Sequence, residues 1–180
     1  MKKSVLLLFF AGCVARGIFG IGRKIPMNRV NDLGQREGYW RDSVGGGFVY
    51  DLYYKGGKKD GLYKRFYRNK LFLFGEYTAD NISGTWYMFG DEGELRCTID
   101  SIELNKDSIY TGYCRIFCKY KCHSIDYYPS GAVKSEGYMV CDEEFEIEIW
   151  EIGEWKYYDE SGNLIKTKDY GDRRTPYEEE

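Results

Sequence analysis

Histidine is almost missing from this sequence. His123 is the only one in 180 residues, which removes most histidine-based catalytic designs. Proline is scarce as well, with 3 in the chain. No apolar run approaches the ~20 residues that a membrane-spanning helix requires; the stretch from Val5 to Gly12 is far too short. Nor is there a large excess of positive charge: 26 basic and 29 acidic residues leave a formal charge of −3, which argues against a general nucleic-acid binder. Hydrophobic residues at 43% and charged residues at 31% exclude both a disordered chain and a multi-span membrane protein. What is abundant is aromatic and glycine: 18 Tyr, 10 Phe, 4 Trp and 22 Gly. That mixture suits short β-strands joined by glycine turns.

Charge is unevenly distributed. Residues 1–30 contain six basic residues and no acidic ones, which leaves 20 basic and 29 acidic residues in the remainder, a balance of −9. An acidic, tyrosine-rich body repels phosphate backbones and anionic lipid surfaces and favours a basic partner. At the N-terminus, Lys2 and Lys3 precede the apolar run that ends at Cys13. A basic start, a short hydrophobic stretch and small residues form a secretory signal. Phe10-Ala11-Gly12-Cys13 resembles a bacterial lipobox, which implies lipid attachment at Cys13 and a place in the cell envelope. The alternatives are an ordinary signal peptide cut elsewhere and a cytoplasmic chain. The chain therefore divides into a signal segment (1–13), a basic linker (14–30), a repeat region (31–171) and an acidic tail (172–180).

Internal repetition dominates the middle. Gly38-Tyr39-Trp40, Gly61-Leu62-Tyr63 and Gly84-Thr85-Trp86 begin 23 residues apart, twice in succession. A further copy, Gly153-Glu154-Trp155, aligns without a gap to the Gly84 copy as far as the leucines Leu95 and Leu164, with a second glycine nine residues after the first in each (Gly93 and Gly162). Tyr127-Tyr128-Pro129-Ser130-Gly131 carries the second half only, and Cys122 stands where its opening glycine belongs. The second copy is one residue short near Asn69, and residues 96–121 fit no register, as a degenerate repeat or an insertion.

Lys58-Lys59-Asp60-Gly61-Leu62-Tyr63, Tyr127-Tyr128-Pro129-Ser130-Gly131 with Gly137, and Gly153-Glu154-Trp155-Lys156-Tyr157-Tyr158 resemble the MORN-repeat variant widespread in bacteria. The resemblance implies a glycine-aromatic hairpin as the unit, and an antitoxin- or immunity-like label that its members often carry.

The repeat also makes physical sense. Gly84-Thr85-Trp86-Tyr87-Met88-Phe89 alternates its side chains between two faces, and Asp91-Glu92-Gly93 supplies a turn. A single hairpin is marginal, whereas stacked hairpins pair their edges. The fold expected is all-β, an elongated antiparallel meander of stacked β-hairpins. Trp40, Tyr63, Trp86 and Trp155 share one position and are expected to line one face. Tyr87, Phe89 and Tyr157 are expected on the other, as a contact surface for a protein partner.

Chemistry is harder to find. Cys114, Cys118 and Cys122 beside His123 make a zinc site conceivable, but the spacing matches no paired knuckle and a straight strand spreads alternate thiols too widely. Buried free thiols or one or two disulfides are the favoured reading of the cysteines. Glu146 and Glu148 alternate with Phe145, Ile147 and Ile149 as the wet face of a strand, and Gly45-Gly46-Gly47 lacks the lysine and helix of a phosphate loop. No catalytic residue, metal or cofactor is assigned. The sequence reads as a non-catalytic interaction module, exported and anchored to membrane only through an N-terminal lipid. An envelope carbohydrate-binding or purely structural β-repeat protein is the alternative.

Overall fold

The computed structural model describes residues 26–106, 118–142 and 150–171. Among these residues there is no helix. The strands are β1 (Arg29–Val30), β2 (Arg36–Gly45), β3 (Phe48–Lys55), β4 (Lys58–Tyr67), β5 (Lys70–Thr78), β6 (Asn81–Phe89), β7 (Leu95–Leu104), β8 (Tyr120–Tyr127), β9 (Val133–Cys141), β10 (Trp150–Tyr158) and β11 (Leu164–Asp169). They form a single open sheet in which each strand pairs with its neighbours in sequence, every pair being antiparallel. The fold is an all-β meander of consecutive hairpins.

Two kinds of turn build it. Gly56-Gly57, Arg68-Asn69 and Ala79-Asp80 each place two successive residues at positive φ, the two-residue turn that matches strand twist. The shortened second copy is explained by the Arg68-Asn69 turn. The wider turns span 31–35, 90–94, 128–132 and 159–163 and repeat one hydrogen-bond pattern. In each, the first residue's N–H donates to the fifth residue's carbonyl and the fourth residue's N–H donates to the first residue's carbonyl, at 2.8–3.0 Å. The fourth residue is always glycine (Gly34, Gly93, Gly131, Gly162), with φ from 73° to 84°. That requirement is the physical content of the second repeat glycine.

The opening glycines have a different task. Where Gly84-Thr85-Trp86 passes β5, the register jumps from Phe74↔Tyr87 to Glu76↔Ser83, so Gly75 alone faces three residues. Gly153-Glu154-Trp155 does the same opposite Gly137, and Asp60-Gly61-Leu62 opposite Tyr53. Each opening glycine sits at positive φ (60° at Gly153, 66° at Gly84), as a bulge requires. Where Cys122 replaces the glycine, β8 runs straight and the bulge moves to β7. Ser101 and Ile102 face Cys122 there, and Ser101 takes φ 51°.

Residues 96–104 fit no repeat register, yet β7 pairs fully in the meander, Trp86↔Ile99 on one side and Ile99↔Ser124 on the other. Ladder hydrogen bonds are made by backbone, so a strand needs alternation and not a signature. Cys97 and Ile99 supply the alternation inward.

The core lies on one face of the sheet. Leu52, Tyr63, Leu73, Tyr77, Trp86, Ile99, Cys122, Met139 and Trp155 belong to one buried cluster running from β3 to β10. Phe72 on β5 and Trp155 on β10 line the same cleft, although five strand steps of ~4.8 Å would hold them about 24 Å apart on a flat sheet. The core face is therefore concave. The opposite, outer face has its own small buried cluster at the β8–β10 end, formed by Cys118, Val140 and Ile152.

Candidate functional site

The tryptophan row lies on the concave face and is graded along the sheet. Trp86 is fully buried and Trp155 and Tyr63 nearly so, while Trp40 is half-buried. Tyr63 and Trp86 are in contact at 5.4 Å between centroids, and Tyr77 meets Trp86 edge-on at 5.3 Å. Trp40 packs instead on Tyr54, at 5.9 Å. Leu52 pairs with both Trp40 and Tyr63, whereas Trp86 and Trp155 lie over glycines: a Cβ on Gly75 would meet Trp86 at 2.1 Å, and one on Gly137 would meet Trp155 at 2.5 Å. Both indoles also donate their ring N–H to backbone, Trp86 to the Ser83 carbonyl at 3.1 Å and Trp155 to the Tyr138 carbonyl at 2.7 Å.

Two of the three expected contact-face residues are placed differently from the sequence reading. Tyr157 has the same strand parity as Trp155 and lies on the concave face. It packs against the core with its hydroxyl 2.7 Å from that of Tyr170. Burial, then the Tyr170 hydroxyl, raises its pKa above the ordinary tyrosine value. Phe89 follows a register shift at Met88/Phe89 and lines the concave cleft together with Met88. Only Tyr87 stands on the outer face, half-buried against Phe74 at 5.9 Å. Cys13 lies outside the described residues.

The concave cleft has a volume of about 340 Å³. Phe72, Phe89, Tyr127 and Trp155 give it aromatic walls, and Arg96, Lys134, Asp126 and Glu151 give it charge of both signs. Asp126 accepts a hydrogen bond from Ser135 at 2.8 Å. Cys97 is also in the wall, 3.2 Å from Ser124 Oγ; burial pushes its thiol pKa up to about 12, so it is not a nucleophile near neutral pH.

A buried cation flanks the core, and nothing in the sequence signalled it. Arg65 is 7% exposed, and its guanidinium lies 4.6, 5.4 and 5.3 Å from the ring centres of Phe48, Tyr50 and Phe72. The alternation around Tyr63 places residue 65 inward, and the three rings from β3 and β5 favour a charge there.

The outer face of β2–β6 carries a second set of aromatics. Tyr39 and Tyr53 are 5.5 Å apart, and Phe74 meets Tyr87 on the neighbouring strands. Tyr53 is 39% exposed and Leu62, pushed outward by the Gly61 bulge, 46%. Between them Arg41 pairs with Asp51 at 3.6 Å. Burial and the Asp51 carboxylate raise the Tyr39 pKa.

His123 and Cys122 point to opposite faces. His123 lies on the outer side, 3.4 Å from Asp100 Oδ1 and 5.3 Å from the Tyr138 ring, while Cys122 is in the core. Cys118 belongs to the outer cluster, and Cys114 falls outside the described residues. No three His, Cys, Asp or Glu side chains are grouped to hold a metal ion among the described residues, and no helix there is long and apolar enough to cross a membrane. No family model, no curated protein and no solved structure matches this chain.

Proposed function

We propose that this protein is a non-catalytic interaction module that receives a protein partner on the outer face of β2–β6. The reading rests on one observation: the concave face supplies the main core, yet Tyr39, Tyr53, Phe74 and Tyr87 with Leu62 place a half-exposed apolar surface on the other side, away from the small outer cluster at β8–β10. Tyrosine anchors beside an ion pair are what protein interfaces favour. The balance of −9 after residue 30 favours a basic partner. Export and an anchor at Cys13 accompany this reading, as does an antitoxin- or immunity-like role; both rest on sequence resemblance, to a lipobox and to the bacterial MORN-repeat variant. The test compares partner capture by the wild type and by Tyr53→Ser/Leu62→Ser in envelope preparations, with unfolding curves alongside. Capture of a discrete protein that the double variant loses, with its unfolding midpoint little changed, supports the reading. Equal capture by both sinks it.

The concave cleft supports a second reading, a carbohydrate-binding protein. Aromatic walls with hydrogen-bonding charges of both signs suit a polyhydroxylated ligand. Binding on a glycan array that is abolished by Glu151→Gln would select this reading over the first.

A further inference from the structure

Cys122 on β8 and Cys141 on β9 bring their sulfurs to 3.4 Å. The register pairs Cys122 with Met139 and Tyr120 with Cys141, so the two cysteines are diagonal neighbours across one antiparallel ladder. Both side chains point into the core and neither is exposed. Closing to a disulfide requires the sulfurs to approach by roughly 1.4 Å, given a bond length of about 2.05 Å. Diagonal Cα atoms lie about 7–8 Å apart, so closure also draws the two strands slightly together. The other described cysteines are committed elsewhere: Cys97 Sγ sits 3.2 Å from Ser124 Oγ, and Cys118 lies on the outer face with Val140 and Ile152.

We propose that Cys122 and Cys141 form a structural disulfide that staples β8 to β9 when the chain folds in the presence of a low-molecular-weight disulfide oxidant. The Cys122 thiolate attacks the oxidant's S–S bond, forming a mixed disulfide and expelling one thiolate. The Cys141 thiolate then attacks the Cys122 sulfur and expels the second. The two cysteines lose two electrons, the oxidant is reduced to two thiols, and the two cysteine protons end on those thiols. The exchange belongs to folding, before the hairpin is buried. In the folded reduced protein the sulfurs are sealed from solvent, and the Cys122 sulfur and burial together raise the Cys141 pKa, which leaves almost no thiolate to react.

The staple has a structural purpose. It sits where Cys122 has replaced the repeat's opening glycine and the bulge has moved to β7. The diagonal link ties β8 to β9, on the side of β8 away from the displaced bulge.

The full-length chain, unfolded and refolded across glutathione buffers from fully reduced to fully oxidised, is the test. Free thiols are trapped by alkylation in denaturant, and the protein is digested without reductant for mass spectrometry. The expected result is a Cys122–Cys141 linked peptide, two hydrogens lighter than the separate thiol peptides, dominant in oxidising buffer. Oxidation should also raise the unfolding temperature by on the order of 5–10 °C, a shift absent from Cys122→Ser/Cys141→Ser. Both cysteines alkylated at every buffer ratio, or either one linked mainly to another cysteine, would overturn the proposal.

Discussion

Gly75 lies directly beneath Trp86. A methyl group there would sit 2.1 Å from the indole Cδ2, well inside any tolerated contact, and the ring cannot move away because it is fully buried between Tyr63 and Tyr77. Gly75 has no positive φ, so alanine there is resisted by volume alone. Gly75→Ala should therefore cost about 1–3 kcal/mol through overpacking, read from urea unfolding at constant slope. A neutral result would show that the indole repacks and that Gly75 is not required beneath it.

Trp86→Ala and Tyr87→Ala probe the two faces at adjacent positions. Trp86 is buried completely and Tyr87 half-buried. The expected losses are roughly 3–5 kcal/mol for the tryptophan and about 1 kcal/mol for the tyrosine. A larger loss for Tyr87→Ala would mean that the outer face carries the core.

Arg65 is enclosed by three aromatic rings. Lysine keeps the charge but loses the flat guanidinium that stacks between Phe48 and Phe72. Arg65→Lys should then destabilise by about 1–2 kcal/mol, whereas Arg29→Lys, on the exposed strand β1, should cost less. Comparable small effects at both sites would contradict a stacking role.

Acid should loosen the last hairpin first. Asp159 accepts hydrogen bonds from the Ser161 and Asn163 backbone N–H groups, each at 2.9 Å, and from Asn163 Nδ2 at 3.0 Å. The Asn163 contacts lower its pKa below the ordinary 3.8. A folded pKa below the unfolded one contributes stability above the unfolded value and loses it as pH falls through the folded value. Protection of the β11 amides, relative to their intrinsic exchange rates, should therefore fall below about pH 4, and Asp159→Asn should flatten that dependence. The turn at 31–35 is the internal control: Asn31 Oδ1 accepts the corresponding backbone bonds from Leu33 and Gln35 at 3.0 and 2.9 Å, with no proton to gain.

Most of the hairpin architecture was legible locally. Gly93, Gly131 and Gly162 occupy positions that need positive φ, and the opening glycines Gly84 and Gly153 sit in bulges. Such conformations are excluded by sterics within a residue or two, so glycine spacing alone reports them. Strand β7 was missed for the converse reason, since a paired backbone leaves no motif behind. Tyr157 was assigned to the wrong face although its parity with Trp155 is plain in the sequence. Phe89 was displaced by a register shift that its own residues do not announce.

By itself, then, the sequence determined the class of fold, the glycine turns and the alternation of two faces, because these depend on backbone sterics and period-two geometry. Only the tertiary structure decided which face curls inward to become the core, that Gly75 and Gly137 exist to admit indoles, that Arg65 is enclosed by three rings, and that Cys122 meets Cys141. Each of these depends on volumes contributed by neighbouring strands. Such complementarity is a property of the assembled sheet and leaves no periodic trace along the chain.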